Sequence, residues 1–245
     1  MTSKITNSKN FTIKLIFLSF LIITSFIISS FNNISANAAE TTCNSTSSSI
    51  IYKAGILKKQ SINSDNLKLA AKGNNIKIYT DELNFLTKTL LLTGELTDDE
   101  AKEYELQYLI KREVLFNAAV KNGFLVNNND ITKYIQEQKD QISNAENHED
   151  FTLYINAMNM TEDEYWKNQF ESIKKDLTIS DYLNSQKKEL ADKHNLTFYE
   201  TYVESEIYEN GQQTYSDFDK LEKLWTEYYQ DLLNKLIDKE NITVY

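Results

Sequence analysis

Two histidines, a single cysteine and 36 carboxylates are the side chains in this 245-residue sequence with the most chemistry to offer. Nucleophilic catalysis needs a hydroxyl, thiol or amine activated by a neighbouring base. His148 and His194 are the only imidazoles, neither lies near Cys43 in the sequence, and no G-x-S-x-G turn exists to present a serine. His148 sits in NHED just ahead of a helix without companion ligands, which reads as a solvent-exposed position. Five glycines supply neither a phosphate-binding Walker loop nor a dinucleotide fingerprint. Metal binding has two superficial candidates, Thr97-Asp98-Asp99-Glu100 and Thr161-Glu162-Asp163-Glu164. Consecutive carboxylates point different ways around a helix, however, and neither cluster brings a histidine. Both have the spacing of a capping box instead, with a threonine hydroxyl for an amide and a glutamate three residues on that reaches back. Asn127 to Asp130 lacks the central glycine and closing glutamate of a calcium loop. In so acidic a chain no carboxylate pair stands out for glycoside chemistry. The expectation is a protein without catalytic residues, metal or cofactor.

What remains is aromatic. Fifteen tyrosines, twelve phenylalanines and two tryptophans exceed what a helical core of this size needs, and tyrosine suits wet interfaces because its ring is apolar and its tip polar. Trp166 and Trp225 recur at helical spacing, which is the ordinary signature of core residues. The functional alternative is that Phe151, Tyr154, Met158, Trp166, Trp225 and Tyr229 line a groove for exposed peptide, since methionine and aromatic side chains adapt to varied partners.

The elements that must hold these residues are helices. Proline is absent, which removes the strongest helix breaker and favours an all-α chain with at most two short β-strands. IKIY from Ile76 alternates like a strand, and Thr80 follows as an N-cap before DELNFLTKTLLL. The helix entered at Thr97 runs through YLIKREVLFNAAVKN to a stop at Gly123, and Asn127 to Asp130 cap the next helix, whose apolar side is Ile131, Tyr134, Ile135 and Ile142. A short helix from Asp150 carries Phe151, Tyr154, Ile155 and Met158 at i, i+3, i+4 and i+7. The long helix from Glu162 carries Trp166, Phe170, Ile173 and Leu177. The last helix, Asp217 to Lys239, repeats Phe218, Leu221, Trp225, Tyr228, Leu232 and Leu236, and NITVY beyond it suits a strand beside Ile76 to Tyr79. Residues 194–216 are an acidic, tyrosine-rich connection in which Asn210-Gly211 marks a turn.

Residues 1–38 read as an address. Lys4, Lys9 and Lys14 precede the apolar run Leu15 to Ile28, and Ala36-Asn37-Ala38 supplies small residues for cleavage between Ala38 and Ala39. This is the pattern of Sec export, leading to an extracytoplasmic, cell-surface or secreted location, with membrane contact only through this segment if it stays uncleaved. Glu40, Thr41 and Thr42 before Cys43 are not the small apolar triplet of a lipid-attachment site. Residues 39–69, beginning with the Ser/Thr-rich TTCNSTSSS, read as a flexible linker and weakly patterned segment. Beyond residue 38 the charge is -13, so nucleic acid is not an expected partner.

IKIYTDEL, YLIKREVLFNAAVKNG, VNNNDITKYI, FTLYINAMNM and TEDEYW, in that order, resemble the N-terminal chaperone domain shared by SurA, PrsA and their relatives. WTEYYQDLLNKLIDKENITVY is similar to the C-terminal helix that returns to complete that domain. The resemblance covers residues 70–193 plus 217–245. PrsA-type foldases carry a parvulin isomerase of about a hundred residues between the long and closing helices, where this chain has only 194–216, too few for a domain of roughly 50 residues. The resemblance therefore implies a non-catalytic, holdase-like chaperone for unfolded or partly folded segments of exported proteins. An envelope module binding one specific folded partner is the alternative.

Overall fold

A computed structural model describes residues 44–62, 68–145, 147–198, 207–209, 212–214 and 217–245. The Ala38–Ala39 junction and Cys43 lie outside the described residues. Among the described residues seven helices dominate: α1 (Asn44–Ile62), α2 (Thr80–Leu91), α3 (Asp98–Lys121), α4 (Asn128–Ser143), α5 (His148–Met158), α6 (Glu162–Lys193) and α7 (Asp217–Asp238). Five short strands accompany them, where the sequence suggested two at most: β1 (Leu69–Lys72), β2 (Lys77–Tyr79), β3 (Ile207–Glu209), β4 (Gln212–Thr214) and β5 (Thr243–Val244). The all-α class holds, with a small sheet in the order β2-β1-β5 and a separate β3-β4 hairpin in the 194–216 connection.

Local chemistry accounts for most boundaries. At Thr97 the backbone amide donates to Glu100 Oε2 (2.9 Å) and the Glu100 amide donates to Thr97 Oγ1 (3.4 Å), so two otherwise orphaned groups satisfy each other. Thr161 and Glu164 repeat the exchange at 2.8 and 3.3 Å. Asn127 Oδ1 accepts from the amides of Asn129 and Asp130 to start α4. At the other end of α3, Gly123 adopts φ 84°, and the Phe124 amide donates to the Ala119 carbonyl at 3.1 Å. Three asparagines do the work of glycine elsewhere: Asn159, Asn195 and Asn241 take φ of 59°, 53° and 50° after α5, α6 and α7.

Two expectations about ends change. Thr80 does not cap α2: Tyr79 holds the cap position without a side-chain bond, Thr80 is already the first helical residue, and its hydroxyl donates to the Lys68 carbonyl at 2.6 Å. The closing strand β5 pairs antiparallel with β1, Ala71 opposite Val244, and not with the strand at Ile76 to Tyr79.

The described residues fall into two compact units whose boundaries cut β1, β2, α3 and α6. The first holds the described residues up to Ala70, Ile78–Leu109 and Asn127–Ile173. Here the segment read as linker and weak pattern is helix from Asn44 to Ile62. It packs on α5 and α2 with Ile51, Ala54 and Gly55 buried. The crossing is close: a Cβ on Gly55 would stand 2.6 Å from the Tyr154 carbonyl oxygen and 2.7 Å from Ala157 Cβ. With Ala54 and Gly55 at the crossing, the buried face carries little apolar periodicity to read.

The second unit holds Ala71–Lys77, Ile110–Val126 and Lys174–Tyr245. Arg112 Nε donates to Asp176 Oδ1 at 2.7 Å and Glu113 pairs with Lys175, so the charges within the apolar part of α3 are neutralised by α6, while Lys111 is exposed. Glu240 is buried (5 % exposed) yet satisfied, its two oxygens accepting from the Asn75 amide (2.7 Å) and Asn75 Nδ2 (3.0 Å). The Asn74 amide adds a bond to the Glu240 carbonyl at 2.7 Å, so the turn after α7 is tied to the β1-β2 turn.

Candidate functional site

The six residues expected to line a groove divide between the two units. Phe151, Tyr154, Met158 and Trp166 belong to the first and are no more than 6 % exposed. Tyr165, which the sequence reading passed over, joins them. Phe151 meets its ring edge-on at 5.2 Å, Tyr154 at 6.2 Å and Trp166 at 5.2 Å, each geometry favouring the rings' opposed edge and face charges. Burial pushes the Tyr154 and Tyr165 phenols up. These four candidates are packed core and not groove: α5 and the start of α6 interlock their aromatic faces, and apolar burial favours closing such a cluster.

Trp225 and Tyr229 lie in the second unit on α7, both half-buried. Trp225 stacks on Tyr228 with centroids 5.7 Å apart and planes at 24°, and Tyr229 lies 5.8 Å from Trp225 on the same helix. Trp225 and Tyr228 pack against a buried cluster of Leu190 and Ala191 of α6 and Leu221 of α7, together with Leu196, Phe198 and Leu224. The Tyr228 hydroxyl donates to Gln186 Oε1 at 2.7 Å, which fixes the platform to α6. Only Leu221 and Leu233 of the α7 apolar stripe are fully buried; Phe218, Leu224, Trp225, Tyr228, Tyr229, Leu232 and Leu236 are not. An amphipathic helix normally buries such a stripe, so the half-buried rings form a cluster of apolar surface on α7 that its neighbours cover only in part. The stripe itself was readable from the 3.6-residue period. How much of it is covered depends on α6, and that was not.

The titratable groups offer little else. Desolvation alone pushes the Glu105 carboxyl on α3 up to about 7. His148 and His194 are exposed at helix ends. Among the described residues there is no group of three histidine, cysteine or acidic side chains placed to hold a metal ion, and no helix long and apolar enough to cross a membrane. No family model, curated protein or solved structure matches this chain.

Proposed function

We propose that the protein is an exported, non-catalytic chaperone that holds unfolded or partly folded segments of other exported polypeptides. The observation that carries this reading is the half-buried aromatic platform on α7, in which Trp225 and Tyr228 are backed by Leu190, Ala191 and Leu221 and Tyr229 lies against Trp225. Rings fixed from below but left partly open can receive apolar side chains without ordering a floppy surface first. The sequence order supports the reading through its resemblance to the SurA-type chaperone domain, and the basic-apolar start of the chain supports export. A net charge of -13 beyond residue 38 would keep a loaded complex soluble.

The test is aggregation of a thermally unfolded model client, followed by light scattering with the mature protein in several-fold excess. Slower aggregation is expected, and an unchanged time course overturns the reading. A pull-down that returns one stoichiometric folded protein in place of many substoichiometric ones would point to a dedicated envelope module.

A further inference from the structure

The α7 platform has a charged margin as well as an apolar face. Gln186, which accepts the Tyr228 hydroxyl, lies one helical turn before Glu189 on α6, so the two residues share the side of that helix that meets Tyr228. Burial and then the Glu189 charge raise the Tyr228 phenol, and Tyr182 is raised by burial, by Tyr228 and last by Glu189. Glu189 is exposed. The nearest basic residue in sequence that faces α7, Lys187, is taken up by Glu222. On α7 itself, Glu227 and Asp231 are exposed, and Asp231 lies one turn beyond Tyr228. Stacked rings with an electron-rich face, with Glu189 near enough to act on Tyr228 and a strongly acidic protein around them, complement a cation carried on an apolar chain.

We infer that the Trp225–Tyr228 platform and Glu189 together select client segments in which an arginine or lysine is flanked by aliphatic or aromatic residues. The inference rests on the reading of the platform as a client site and adds the chemistry that the site prefers. The rings would supply apolar contact and a cation–π surface, while Glu189 supplies the opposing charge. Glu189 is a specificity residue here; removing its charge leaves the rings and their packing in place.

Two fluorescent peptides decide the matter: one apolar nonapeptide with two arginines, and the same peptide with neutral, isosteric citrulline in both positions. Binding to the full chain is read by anisotropy at low and high salt, for wild type and Glu189→Gln. Wild type is expected to prefer the arginine peptide about five- to tenfold at low salt and less at high salt. Glu189→Gln should bring the preference to about twofold or less, through weaker binding of the arginine peptide. Equal affinities in wild type, or a preference that survives Glu189→Gln, overturn the inference while leaving the client site standing. Failure of both peptides to bind removes the client site and the inference together.

Discussion

Glu105 lies in α3 only 8 % exposed, and burial is the sole influence on its carboxyl, raising it from an ordinary 4.5 to about 7. The fold therefore holds a proton on Glu105 that the unfolded chain releases between those two values. Because the native state binds more protons across that window, stability falls as pH rises from 4.5 towards 7, and above it the charged form carries the full cost. The separation corresponds to on the order of 3 kcal/mol, an upper figure since some water reaches the side chain. Glu105→Gln keeps the shape and removes the titration. Urea midpoints at pH 5 and pH 8 should show wild type and variant nearly equal at the lower pH, with the variant more stable at the higher by on the order of 2 to 3 kcal/mol. If the two proteins keep a constant difference at both pH values, the buried-carboxyl reasoning is wrong.

Three further substitutions probe the frame. Gly55→Ala puts a Cβ against the Tyr154 carbonyl and Ala157, so α1 must shift off α5; about 1 to 3 kcal/mol of destabilisation is expected in thermal unfolding, and a neutral result would refute the close crossing. Asn75→Ala strips the side-chain donor from buried Glu240, which should cost about 1 to 3 kcal/mol by urea unfolding; unchanged stability would mean that the tie between the two turns contributes nothing. For Arg112 and Asp176, a double-mutant cycle should return a coupling of roughly 0.5 to 1 kcal/mol, because both side chains are largely but not wholly covered; zero coupling would count against their pairing.

Features decided within a few residues could be read from the sequence. The boxes at Thr97 and Thr161, the Asn127 cap and the Gly123 stop each depend on a side chain or φ angle acting across one turn, so spacing alone reveals them. Features decided by distant partners could not. Thr80 has the sequence context of a cap, but its hydroxyl goes to Lys68 across a hairpin. The helix α1 is held by backbone proximity at Gly55, which leaves no hydrophobic stripe. The aromatic residues show the same limit: Phe151, Tyr154 and Trp166 have the helical spacing of Trp225 and Tyr229, yet the first three are sealed by neighbouring rings while the last two remain half-covered. Periodicity tells which face a ring occupies and not what stands opposite it.

The claim that the α7 platform holds unfolded polypeptide is tested most directly by comparing wild type with Trp225→Leu/Tyr229→Leu in the client-aggregation assay. Leucine at 225 keeps apolar contact with the Leu190, Ala191 and Leu221 cluster, and both substitutions remove ring surface. With the unfolding midpoint of the variant confirmed to be close to that of wild type, wild type should delay aggregation and the variant should lose most of that delay. Equal protection by both proteins, or protection by neither, would contradict the account.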